Sequence, residues 1–190
     1  MKKIGLISDT HGFLDPKLLD LLGGCDEIWH AGDIGNNDVL HSLREKWTTV
    51  RAVWGNADGQ DVRSSIGRED RVYVQDGVSI DVSQSIEEEG SLSFSVEGLS
   101  VLMMHIGGYP GHYSPKARKL LERKKPKLFV CGHSHILRVI FDKQFNCLLM
   151  NPGACGKYGI QAVRTALRFS VQDGDIKDLE VIELQGGSRN

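Results

Sequence analysis

Five times along this chain a short apolar run ends in a polar stretch bearing aspartate, asparagine or histidine. Ile4 to Ile7 leads to Asp9-Thr10-His11, Glu27 to Ala31 to Gly32-Asp33, and Thr49 to Trp54 to Gly55-Asn56. Leu99 to Met104 leads to His105, and Leu128 to Cys131 to Gly132-His133-Ser134-His135. If the runs are strands, the polar groups gather where the strands end. In an extended segment alternate side chains point the same way. His133 and His135 are therefore expected side by side, with Ser134 turned away. Two imidazoles so placed suit one metal ion, or two, or are simply surface histidines at a strand end. The tetrapeptide alone does not decide; the recurrence favours metal.

The 190 residues suffice for one domain with a sizeable core. One domain over residues 1–185 is expected, with a frayed tail at 186–190. A net charge of −2 makes no electrostatic case for a nucleic-acid or membrane-surface partner. No apolar run approaches the ~20 residues of a membrane helix, and the apolar part of the N-terminus is too short for a secretory signal. Cys25, Cys131, Cys147 and Cys155 include no C-x-x-C pair. They read as reduced core cysteines of a cytoplasmic protein.

Asp15-Pro16 opens a helix through Leu22 that Gly23-Gly24 stops. Asn36 or Asn37 caps the next, where Val39, Leu40, Leu43 and Trp47 form an apolar stripe. With the first three strands this makes an α/β unit of parallel strands. Ligands of such sheets bind beyond the carboxyl ends of the strands, where Asp9, His11, Asp33 and Asn56 lie. Residues 59–70 are polar, with arginines among acids, and read as a solvated loop. From Arg71 to His105 the character is antiparallel β, with an exposed acidic turn at Glu87-Glu88-Glu89-Gly90 and a hairpin of Ser91–Val96 with Leu99–Met104. Gly107 to Tyr113 is a glycine-rich loop, and Ser114-Pro115 starts a helix ending before Pro126. Leu137–Phe141 pairs with Cys147–Met150, and β segments at Ala162–Val171 and Ile176–Leu184 complete the chain.

Asp9, His11, Asp33, Asn56, His105, His133 and His135 form one ligand set without thiolate. That mixture argues against a structural zinc site and for Mn²⁺, Fe²⁺, Ni²⁺ or catalytic Zn²⁺. A bridging aspartate can hold two ions ~3.5–4 Å apart, with a hydroxide between them for in-line attack on phosphorus.

The motifs D-x-H, G-D, G-N, H and G-H-x-H, in that order, resemble the calcineurin-like metallophosphoesterases, in particular their small bacterial and archaeal phosphodiesterases. The resemblance runs from Lys3 to about Phe169. It implies a two-sheet α/β-β/α sandwich flanked by helices, acting as a metal-dependent phosphodiesterase with two divalent ions, manganese first among them. By motif match, Asp9, His11 and His135 hold one ion and Asn56, His105 and His133 the other, with Asp33 between them. Asn56 and His105 count with His112 as catalytic residues. Two positions depart from the family. Ala57 stands where its phosphoprotein phosphatases carry a histidine acid, which favours phosphodiesterase chemistry. Ile106 follows His105 where many members have glycine.

His30, within a strand, and His41, on a helix, read as packed or solvated. His112 is a substrate contact or substitute acid, or else an exposed loop residue. The 107–113 loop is expected to act as a lid, with His112 and Tyr113 facing the phosphate. Asp58 orients Asn56 or caps a turn, and Asn151 is either a family element near the site or part of a tight turn. The substrate expected is a small phosphodiester or phosphomonoester, and a homo-oligomer is compatible with the sequence. The rival readings are a phosphomonoesterase or nucleotidase with the same metals, and a non-catalytic protein-binding scaffold like the retromer coat subunit of this fold.

Overall fold

The structure, a computed structural model, describes residues 1–69, 72–75, 78–81, 90–159 and 161–185. Three parallel strands, β1 (Lys2–Ile7), β2 (Glu27–His30) and β3 (Thr49–Ala52), are joined by helices α1 (Pro16–Leu21) and α2 (Asn37–Lys46). Asp15 caps α1 by accepting from Lys17 N–H, with Pro16 in the first turn, and Asn36 caps α2 by accepting from Val39 N–H. A third helix, α3 (Gln60–Glu69), follows β3. The expectation of a loop at 59–70 was wrong. The segment is polar on most of its surface, but Val62 and Ile66, four apart, are buried against the α2 side of the core.

After α3 come a small hairpin, β4 (Val72–Gln75) with β5 (Val78–Asp81), and a larger one, β6 (Ser91–Val96) with β7 (Leu99–Met104). The expected acidic turn falls mostly, and the expected frayed tail wholly, outside the described residues. Helix α4 (Pro115–Lys124), capped by Ser114, precedes β8 (Leu128–Val130). Then come β9 (Leu137–Asp142), β10 (Cys147–Pro152), β11 (Arg164–Gln172) and β12 (Asp175–Leu184).

Two five-stranded sheets result. The first has the order β12-β11-β1-β2-β3, the closing hairpin lying antiparallel along β1. The second has the order β6-β7-β8-β10-β9, with β7, β8 and β10 parallel. Strand alternation sends side chains to both sides of each sheet. Ile4 and Leu6 of β1 join Trp29, Val101, Val130 and Phe169 between the sheets. Ile7 turns the other way, to Leu18, Leu40 and Leu43 of the helices. Leu120 and Leu121 of α4 cover Leu102, Phe129 and Leu149 on the far side of the second sheet. The layers therefore run helix, sheet, sheet, helix, the expected sandwich. It brings the carboxyl ends of β1, β2, β3, β7 and β8 to one rim. No helix among the described residues is long and apolar enough to cross a membrane.

Candidate metal centre

The loops leaving these strands are tied together by their own backbones. Asp9 N–H donates to Gly32 C=O at 3.0 Å, His11 N–H to Asp33 C=O at 3.0 Å, and Gly132 N–H to His105 C=O at 3.0 Å. Within this mesh the side chains fall into two groups: Asp9, His11 and His135, and Asp33, His105 and His133, the ligand atoms of each within 4.8 Å of one another. The groups touch. His105 Nε2 lies 3.2 Å from Asp33 Oδ2 and 3.9 Å from Asp9 Oδ1, and His11 Nε2 lies 3.8 Å from Asp33 Oδ2. Asn56, in the turn that follows β3, is exposed and lines a pocket shared with His105.

Five of these residues, Asp9, His11, Asp33, His133 and His135, have left-handed backbones with φ from 45° to 68°. Such conformations cost roughly 1–3 kcal/mol each outside glycine and gather at functional sites. They also correct the expectation for the tetrapeptide. His133 and His135 are not in an extended run, and their imidazoles belong to different groups.

Burial leaves polar atoms here without hydrogen-bond partners: Asp9 Oδ1 and His105 Nε2 are both buried and unsatisfied. Such atoms are expensive unless something pairs with them. The tautomers point the same way. His105 Nδ1 lies 2.8 Å from Ala31 C=O, which only accepts, so Nδ1 carries a proton and Nε2 is the atom that faces the carboxylates. His135 is held likewise, Nδ1 donating to Gln161 Oε1 at 3.2 Å. Burial works against the Asp33 carboxylate, yet His105 and the Ala57 N–H hold its pKa down at about 2. Burial also opposes protonation of His105, but Asp33 and Asp9 outweigh it and raise that pKa. His135 is raised by its contact with Asp9, whereas burial lowers His11, whose Nε2 is 3.3 Å from His135 Nε2. Two adjoining imidazoles cannot both hold a proton at that contact. The cluster is desolvated and built of carboxylate and imidazole, a donor set that fits divalent cations.

A second set of residues holds the loops. Asp58 is buried and accepts from Gly35 N–H at 2.7 Å and Gly55 N–H at 2.8 Å, joining the loops that carry Asp33 and Asn56. Asn151 both forms its turn, accepting from Gly153 N–H, and donates to Gly132 C=O at 2.7 Å, steadying the histidine loop. His30 is fully buried. Its Nδ1 accepts from Gly32 N–H, so Nε2 donates to Thr10 Oγ1, whose hydroxyl passes on to Ile34 C=O. Of the histidines weighed as bystanders, His30 is packed beneath the site and His41 is solvated.

His112 is exposed and its ring lies 4.8 Å from that of Tyr109, in a pocket of about 270 Å³ that reaches His133 and Arg138. Tyr113 also lines this pocket, but its hydroxyl donates to Asp142 and its ring packs on Phe129 and Phe145. The expectation that Tyr113 faces a phosphate is corrected on that ground. Sequence reasoning missed Gln161 and also Tyr158, whose exposed ring lies 4.8 Å from that of His11. Neither carries a local signal, because the partner of each lies more than a hundred residues or a whole loop away.

The fold and the carboxylate–imidazole cluster are those of a metal-dependent phosphoesterase class. The family model for the calcineurin-like phosphoesterase superfamily domain matches residues 1–174, and the chain belongs to that superfamily. No curated protein matches. Among solved structures, an archaeal phosphodiesterase is 21% identical, covering 96% of this chain and 99% of its own, with a TM-score of 0.69. A conserved protein of Streptococcus pneumoniae described as a predicted phosphoesterase is 18% identical over 96% of this chain and 89% of its own, with a TM-score of 0.61. Wild-type Vps29 of Entamoeba histolytica in complex with Zn²⁺ is 14% identical over 96% and 98%, with a TM-score of 0.65. At these identities the likeness establishes the fold.

Proposed function

We propose that this protein is a phosphodiesterase working with two divalent cations, manganese foremost. The observation that carries the reading is the pair of touching ligand groups, with Asp9 Oδ1 and His105 Nε2 buried where they meet and neither in a hydrogen bond. Asp9, His11 and His135 would hold one cation, Asn56, His105 and His133 the other, and Asp33 both. Bound there, the cations supply Lewis acidity at a phosphoryl oxygen and ionise water near neutral pH.

The chain contributes position and protons. The Ala57 N–H fixes Asp33 Oδ1 at 2.8 Å, and the His133 N–H donates to Asp9 Oδ2 at 3.1 Å, so both carboxylates are oriented by backbone. Ala57 has no proton to give a leaving group. His112 stands in the pocket that starts at His133, with the Arg138 guanidinium 4.1 Å above the Tyr109 ring beside it. His112 serves as the proton donor to the departing ester oxygen, and Arg138 as a positive wall for the anionic phosphate. Good leaving groups need this help least, which favours activated diesters.

The reading of a non-catalytic scaffold draws on one feature, the exposed Ile136, Ile140 and Phe141 on and before the edge strand β9. The deciding experiment is hydrolysis of bis-p-nitrophenyl and mono-p-nitrophenyl phosphate by manganese-loaded protein. Faster turnover of the diester, removed by chelation and by Asp33→Ala, is expected. A preference for the monoester overturns the diesterase assignment, and inertness of fully loaded protein favours the scaffold.

A further inference from the structure

We infer that strand β9 is the contact surface for a second copy of this chain, the two β9 strands pairing antiparallel about a two-fold axis at Ile140 and joining their second sheets into one. This contact would form whether or not the chain hydrolyses diesters. The two five-stranded sheets have four edges, β12 and β3 on the first and β6 and β9 on the second. An edge strand offers unpaired N–H and C=O groups to any other strand, and folds normally blunt it with charge, a bulge or cover.

Three of these edges are guarded. β12 exposes Asp175, Lys177, Asp178, Glu180 and Glu183 among its apolar residues, and its pairing with β11 shifts register between Arg168 and Ser170. β3 exposes no residue, and β6 exposes only Ser95. β9 is different. Among the described residues it pairs with β10 alone, and it exposes Val139, Ile140 and Phe141 in unbroken succession, at 37%, 37% and 56%. Val139 and Phe141 lie opposite Met150 and Leu148 and so share their face, between the sheets. β9 and β12 lie at one open end of the sandwich, beyond β10 and β11, whose Met150 and Leu167 share the core between the sheets. Val181 of β12, opposite Leu167, is also exposed there. The sandwich therefore stops with apolar inner faces uncovered on both sheets.

The sequence of β9 selects the occupant. A contact about a two-fold axis sets residue i against j and j against i. With the axis at Ile140, Ile140 meets its own copy, Val139 meets Phe141, and Arg138 meets Asp142. Apolar side chains thus face apolar ones, and each arginine faces an acid. Both charges are already held in place. Asp142 accepts from the Tyr113 hydroxyl and the Gln144 N–H, and the Arg138 guanidinium lies 4.1 Å from the Tyr109 ring centre. Directly opposed side chains share a face, so the axis can move only by whole residues. One step toward the N-terminus sets Arg138 against Ile140, and one step toward the C-terminus sets Asp142 against it. A net charge of −2 puts little repulsion between copies. Six residues per strand make a contact smaller than the ~1,600 Å² of a standard interface, so the dimer is weak and depends on concentration.

Sedimentation equilibrium of the full chain across micromolar concentrations should show reversible exchange between monomer and dimer. Ile140→Lys brings two like charges together at the axis and should weaken the dimer at least about tenfold. Leu21→Lys, at an exposed apolar residue of α1, should leave it unchanged. Circular dichroism establishes that both variants are folded. Disulfide cross-linking reads the register. Directly opposed Cα atoms lie ~4.5–5.5 Å apart, within disulfide range, so Ile140→Cys should give a covalent dimer on mild oxidation. Lys143→Cys, exposed and off the axis, would lie ~20 Å from its copy and should not link. The native cysteines are buried and do not compete. A monomer at every concentration, association undiminished in Ile140→Lys, or Lys143→Cys linking as readily as Ile140→Cys would each overturn the inference.

Discussion

Replacing Gly55 by alanine tests how tightly the centre is built. A Cβ there would lie 2.0 Å from Asp33 Oδ1, 2.5 Å from Asp33 N and 2.7 Å from Asp33 Cγ. Bringing Oδ1 from 2.0 Å to an ordinary 3.4 Å contact displaces the carboxylate by about 1.4 Å. That movement breaks its 2.8 Å bond from the Ala57 N–H. A hydrogen bond to a charged group contributes ~1.5–3 kcal/mol, equivalent to a fall in Tm of roughly 3–12 °C for a chain of this size. The larger effect is on rate, because a misplacement of ~1 Å at a reacting centre costs about 100-fold. Gly24→Ala is the control, since an added Cβ there meets nothing within 4 Å. The assay is diester hydrolysis and metal content of the manganese-loaded variants, with far-UV circular dichroism to establish folding. Gly55→Ala should keep its secondary structure, lose bound metal and fall at least 100-fold in kcat/KM, while Gly24→Ala matches the parent. A Gly55→Ala protein with full metal content and a rate within about threefold of the parent would refute the reasoning.

Three further outcomes follow from buried groups and from the second pocket. Burial raises the thiols of Cys131, Cys147 and Cys155 to about 12 and that of Cys25 to about 11, so a native thiol titration should find no fast-reacting cysteine and an unfolded one all 4; a rapidly titrating thiol in the folded protein would contradict this burial. Burial also holds His30 down from 6.5 to about 4. Above 6.5 it is neutral in both states, and as pH falls towards 4 the unfolded chain takes up a proton that the folded chain refuses. Stability from this residue is therefore lost across that window, and urea unfolding of metal-free His30→Gln should show a flatter acid slope than the parent; an unchanged slope argues against a neutral His30. Finally, His112→Ala should lower kcat on a diester with a poor leaving group by ~10²–10⁴-fold with metal content unchanged, whereas parental kcat and KM would exclude it as the proton donor.

The ligand loops were legible because each is a local event, an apolar run closed by one or two donor residues. Asp9, Asp33 and His105 need only their own strands to be located. Their supports are not local: Thr10 meets His30 across 20 positions, and His135 meets Gln161 across 26. Asn151 and Asp58 stand out in the sequence, but their roles depend on loops that only folding brings near. Helix α3 was hidden because two buried residues, Val62 and Ile66, are a thin stripe among charges. The His133–His135 pair was misjudged in shape, since left-handed φ values leave no mark on composition. Tyr113 was assigned to the site by its place in the loop, whereas Asp142, 29 residues on, holds its hydroxyl.

Where cations sit on this chain decides whether the centre is binuclear. Crystals loaded with manganese, measured near its absorption edge, should give two anomalous peaks per chain, ~3.5–4 Å apart. One peak should touch Asp9, His11 and His135, the other Asn56, His105 and His133, with Asp33 reaching both. A single peak at full occupancy, or peaks away from these side chains, would contradict the binuclear centre.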